Sequence, residues 1–192
     1  FLNNEKIKNI QISDTQLMEL HPILIGRYFS NFLLAKNKEA HFYKIKTIAN
    51  SITFLSRDYE IYYEPMVIAI VTNNLKVQSW LIEQIEQHLS KNAYPEPHYL
   101  ETYHLMKTWY YAQTGAIEKA KNVFEKININ NFILSYKTFL LFFYYAAGHK
   151  LYQTIELQQL TNIYLKKNPY KYFTQFYNNQ ITLLSKDTTK HD

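Results

Sequence analysis

Apolar side chains recur at spacings of three and four along most of the chain, as amphipathic helices require. An apolar stretch from Tyr28 to Ala35 is broken by Lys36-Asn37-Lys38. Phe42, Ile45, Ile48, Ile52 and Leu55 then resume the helical spacing until Ser56-Arg57-Asp58. Pro65 to Val71 is apolar and preceded by Glu64; proline in a first turn with an acid beside it starts helices. Thr72-Asn73-Asn74 ends that run, and Val77, Trp80, Leu81, Ile85 and Leu89 form the next stripe. Asn92 to Pro97 reads as a loop. His98 to Thr114 reads as a helix ended by Gly115, and Ile117, Ala120, Val123, Phe124 and Ile127 carry the following one. Asn128 to Asn131 is a polar break. Phe132 to Ala147 predicts an aromatic helix ended by Gly148 and, being apolar all round, buried on several sides. Leu151, Ile155, Leu157 (or Gln158), Leu160 and Tyr164 mark another helix, stopped by Pro169, and a last one covers about 172–184. Residues 185–192 read as a frayed tail.

The turns of successive helix pairs fall at Asn37, Asn74, Gly115 and Gly148, 33 to 41 residues apart. Helix pairs at such a period predict an α-solenoid. Tyr111 to Phe124 resembles a tetratricopeptide repeat across its turn: Tyr111 packs from the first helix, Ala120 allows close approach and Phe124 fills the gap between repeats. His104, Thr108 and Phe132 stand where that family has tryptophan, a small residue and proline, so the repeat is degenerate. The expected fold is all-α, a right-handed solenoid of degenerate tetratricopeptide-like pairs, as a single domain over 1–184.

Composition narrows the chemistry. The 192 residues are 47% hydrophobic and 19% charged, with 3 glycines and no cysteine. Gly26, Gly115 and Gly148 are too dispersed for a phosphate-binding loop. Thiol catalysis, disulfides and cysteine-held metals are excluded. The longest apolar run, Phe139 to Ala147, is far short of the ~20 residues of a membrane span. The first residues do not read as a signal peptide, so a cytoplasmic protein without membrane contact is expected. With Phe at position 1, we read the chain as a piece of a longer protein. The net charge is +5, but Arg27 and Arg57 are the two arginines and the lysines are scattered among acids. No DNA-reading surface is evident, since arginine supplies most bidentate contacts to guanine and phosphate.

Two constellations carry candidate chemistry. His98, Glu101 and His104 lie at i, i+3 and i+6, but helical zinc motifs use i, i+4 pairs; we read surface histidines and no metal. Glu60 and Glu64, with Asp58 nearby, precede Pro65 and read as helix capping rather than an acid–base pair. No nucleophile–base spacing appears, and the chain reads as a binding protein without cofactor, not an enzyme. The unusual component is aromatic: 18 Tyr, 12 Phe and 2 Trp. Most of these rings belong in the core. A concave surface of Tyr, Asn, His and Lys would also suit a short peptide, because tyrosine gives contact area at low entropic cost.

From about Phe29 to Leu184 the order of features resembles the C-terminal regulatory domain of Rgg/MutR-type transcriptional regulators. The features are Tyr62-Tyr63-Glu64 opening an apolar helix, Thr72-Asn73-Asn74, the helix Val77–Leu89, Val123 to Ile127, and Tyr136 to Leu140 running into Tyr144-Tyr145. Asn73 and Asn74, not arginine, follow Thr72. The resemblance implies a homodimer that binds a short signalling peptide in its groove. It implies DNA contact only through a helix-turn-helix domain upstream of this chain. The expected groove residues are Arg27, Asn31, Tyr63, Asn73, His104, Lys107, Tyr111 and Tyr144, on the first helices of pairs. Lys107 and Arg27 would hold carboxylates, Asn31 and Asn73 the peptide backbone, and the tyrosines apolar side chains. The alternative expectation is a constitutive protein–protein scaffold of tetratricopeptide type.

Overall fold

A computed structural model of the chain describes residues 63–91, 95–168 and 173–180. Every regular element among them is helical: α1 (Tyr63–Val71), α2 (Leu75–Lys91), α3 (Pro97–Gln113), α4 (Ile117–Phe124), α5 (Lys137–Tyr152), α6 (Ile155–Lys167) and α7 (173–180). Short 3-10 turns at Ile129–Asn131 and Leu134–Tyr136 lie between α4 and α5. No helix among the described residues is long and apolar enough to cross a membrane. The chain divides into two units, one of 1–69 with 76–93 and the other of 70–75 with 94–192.

In the first unit, Met66 and Ala69 of α1 are buried, as are Val77, Trp80, Leu81, Ile82 and Ile85 of α2. The stripe read from the sequence is therefore the packed face. Gln78 sits on it fully buried, because its Nε2 donates to Ala69 O at 3.0 Å. A carbonyl near a helix C-terminus lacks an intrahelical partner, and this side chain supplies one.

The second unit is built on α5. Leu140, Leu141, Phe142, Phe143, Ala146, Ala147 and Leu151 are buried, and they face around the whole helix. Trp109 of α3 is fully buried; its Nε1–H donates to Phe143 O at 3.1 Å. Its ring lies 5.0 Å from that of Phe176 on α7 and 6.3 Å, edge-on, from Phe143. Phe173 stacks on Phe142 at 5.5 Å and meets Phe139 at the same distance. At the far end of α6, Asn168 donates from Nδ2 to Thr138 O at 3.2 Å and Tyr164 O at 2.8 Å. That tie holds the helix end against the start of α5.

The turns correct the sequence reading in two places. Gly148 does not end a helix. It lies inside α5, buried, where a Cβ would stand 3.0 Å from Phe124 Cζ and 3.2 Å from Leu157 Cδ2. Its missing side chain lets α4 and α6 approach α5. The helix ends four residues later, at Tyr152, and its C-cap Gln153 has a left-handed φ of 54°. Thr154 then caps α6, its hydroxyl accepting from Leu157 N at 3.3 Å. At its other end α5 starts at Lys137 rather than Phe132, because residues 128–136 fold as the two 3-10 turns. Among the described residues the left-handed turn positions are thus Asn73 (φ 52°), Gly115 (φ 80°) and Gln153, about 40 residues apart. The expected pair turn at Asn37, the helices before Tyr63 and the tail 185–192 lie outside the described residues.

Two substitutions test where α5 ends. Gly148→Ala should destabilise by about 1–3 kcal/mol through overpacking, although alanine in an open helix interior gains about 0.5–1 kcal/mol over glycine. Gln153→Gly should stabilise by about 1 kcal/mol, because the left-handed region costs a side chain about that much. Urea unfolding of both variants checks the predictions, and the sign at Gln153 decides where α5 ends: a left-handed glycine at 148 would also resist alanine, but Gln153→Gly would then be destabilising.

Candidate functional site

The half-buried polar surface of α3 is the part of the described structure where the expected groove residues meet. Helical spacing places Tyr103, Lys107 and Tyr111 at i, i+4 and i+8, on one face. Lys107 Nζ donates to Tyr103 OH at 2.8 Å. It also stands 5.3 Å from the centroid of the Tyr103 ring and 5.9 Å from that of Tyr111. A cation within ~6 Å of a ring centroid is attracted by the ring's quadrupole. The ammonium is therefore held in an aromatic frame, with three donors to distribute.

His104 borders this frame, its ring 5.5 Å from that of Tyr103. Burial lowers its pKa, Glu101 beside it raises it, and Lys126 and Lys107 lower it again. Its Nδ1 is buried, has no hydrogen-bond partner and lies 3.9 Å from Glu101 Oε2. Glu101 is not a surface acid. It is buried, and its two oxygens accept from Asn128 N at 2.9 Å and Asn131 Nδ2 at 3.1 Å. It fastens the first 3-10 turn to α3. His98 Nδ1 lies elsewhere, 3.4 Å from Glu96 Oε2. Among the described residues no three His, Cys, Asp or Glu side chains stand together as metal ligands would.

Of the expected groove residues, His104, Lys107 and Tyr111 share α3. Tyr144 lies on α5. Its ring partners are Phe124, stacked at 4.6 Å and 13°, Phe132, edge-on at 6.3 Å, and Tyr145 at 5.3 Å. It belongs to an aromatic packing between α4 and α5 rather than to the Lys107 frame. Burial raises its pKa, and Tyr145 raises it further. Asn73 is not on a first helix. It is the exposed left-handed residue of the turn after α1, its N–H donating to Ile70 O at 3.1 Å. Tyr63 opens α1. Arg27 and Asn31 lie outside the described residues.

A second polar pair escaped the sequence reading. His149 and Tyr177 are both buried, and Tyr177 OH lies 3.0 Å from His149 Nδ1. Burial lowers the His149 pKa. Burial also raises that of Tyr177, an effect partly offset by a hydrogen bond to Thr161. The signal for His149 was hidden once Gly148 was read as a turn, which placed the next residue in solvent. A histidine whose pKa is lowered on folding binds protons more weakly in the native state than in the unfolded chain. Its contribution is complete above the reference value of 6.5 and is lost as pH falls below it. His104 carries the same sign.

Stability measured by urea midpoint should therefore fall between pH 7.5 and pH 5. His149→Gln should flatten that fall, and an unchanged slope would remove His149 from the account. No family model matches the chain, and comparison with curated proteins and with solved structures finds no match.

Proposed function

We propose that this chain is the ligand-sensing and dimerising domain of a transcriptional regulator, binding a short peptide on a tetratricopeptide-like helical repeat. The single observation that carries the reading is the Lys107 frame. A half-buried ammonium between two tyrosine rings, on the first helix of a pair, suits a carboxylate flanked by apolar side chains. Support for the repeat comes from the left-handed turns at Asn73, Gly115 and Gln153 and their spacing of about 40 residues. Tyr111 and His104 border the frame and would contact the ligand from the same helix; Tyr144, Asn73, Tyr63, Arg27 and Asn31 remain groove positions expected from the sequence alone. The reading is one of binding and population shift, not catalysis. The DNA-contacting element, the dimer and the cytoplasmic setting belong to the same proposal.

A constitutive scaffold is the second reading. It is favoured by Leu134, 84% exposed, and Ile155, 72% exposed, which are large apolar side chains.

Native mass spectrometry of the purified protein, after exposure to a peptide extract of the producing cells, tests the first reading. A dimer retaining a peptide of several residues is expected. Lys107→Ala should weaken that peptide's binding by about ten- to a hundredfold, since a hydrogen bond to a charged group contributes about 1.5–3 kcal/mol. A protein that retains no peptide, or a variant that binds as well as the parent, overturns the assignment.

A further inference from the structure

We propose that His104 and Glu101 form an acid-operated latch on the segment that joins α4 to α5. The inference concerns the protein alone and does not depend on the peptide reading. It rests on one carboxylate with two claimants. Glu101 Oε2 accepts from Asn128 N at 2.9 Å, and Oε1 accepts from Asn131 Nδ2 at 3.1 Å. His104, three residues along the same helix, places Nδ1 3.9 Å from the same Oε2. That distance is too long for a hydrogen bond. The latch takes the neutral imidazole as the Nε2–H tautomer, in which Nδ1 and the carboxylate oxygen are both acceptors and nothing draws them together.

Protonation changes the demand. It places an N–H on a buried nitrogen that has no other partner. The charges acting on His104 are Glu101 and Lys107 from α3 and Lys126 from beyond α4, with the Tyr103 ring alongside. Both lysines oppose the new cation, and Glu101 is the anion available to it. A charge-assisted bond closes to about 2.8 Å, so Oε2 must move about 1 Å towards the ring. Asn128 can follow only with its whole turn, which buried Phe132 anchors. The Asn128 backbone is fixed by its own turn, with Asn131 N donating to Asn128 O at 3.0 Å and Asn130 N donating to Asn128 Oδ1 at 3.1 Å. The Asn128 N–H then loses its acceptor and the fastening of Ile129–Asn131 to α3 loosens. The next anchor of the segment is Phe132, which is buried against Tyr144. Acid thus acts on the packing between α4 and α5 through a group on α3.

Proton–nitrogen NMR of the isotope-labelled full chain, titrated from pH 8 to pH 5, reads the latch directly. The Asn128 amide should shift together with the His104 ring, with a midpoint below 6.5. Its protection from exchange, corrected for the intrinsic pH dependence, should fall about tenfold on protonation, while that of Phe143 inside α5 holds. In His104→Gln the Asn128 step should disappear. An Asn128 amide that stays protected while His104 titrates would show the imidazolium turning to water instead. That result, or the same loss of protection in His104→Gln, overturns the proposal.

Discussion

The indole N–H of Trp109 reaches from α3 into the middle of α5 and donates to the carbonyl of Phe143 at 3.1 Å. A buried donor without an acceptor costs about 1–3 kcal/mol, so the position of this ring is narrowly fixed. The same indole lies against Phe176 on α7. Through Phe143 it connects to Phe139, Phe142 and Phe173, whose rings meet at 5.0–5.5 Å. The second unit depends on that one directional bond inside a non-directional aromatic core. It sets the rotation of α3 about its own axis. The rotation in turn decides which α3 residues are packed and which are left for Lys107, Tyr111 and His104 to occupy.

Polar groups in this unit are satisfied where helices end and loops begin. Gln113 Nε2 donates to Ile70 O at 2.9 Å, Asn168 closes α6 onto α5, and Glu101 carries the turn after α4. Glu101 and Asn168 are buried and Gln113 half-buried, and each is bonded to backbone near a helix end or in a turn. Lys107 differs from them. Its ammonium donates to the Tyr103 hydroxyl and stands over two ring faces.

The helical period was legible wherever one face is apolar, as in α2, and the burial of α5 followed from rings pointing all round. Gly115 was legible as a turn because glycine favours a positive φ. The same rule misread Gly148, where glycine serves close packing against Phe124 and Leu157. It also hid Gln153, an ordinary residue held left-handed by the helices on either side. His149, the neighbour of Gly148, moved with that error, passing from an expected turn into the core. The polar break at Asn128 was visible, but not that a carboxylate 27 residues earlier holds it. Such a pairing is made by tertiary contact and leaves no periodic trace. Within the site, the i, i+4 step from His104 to Thr108 or from Lys107 to Tyr111 is readable from spacing alone. The separation of Tyr144 from that stripe is not, because it depends on the packing of α4 against α5.

The account turns on Trp109 being a rigid hydrogen-bonded anchor, and exchange of its indole proton measures that directly. In nitrogen-edited NMR after transfer to heavy water, the signal lost in Trp109→Phe identifies the proton. The account predicts that it survives in the parent protein alongside the slowest amides of α3 and α5. Exchange at the rate of a solvent-exposed indole would contradict it, and with it the fixed rotation of α3 on which the Lys107 site rests.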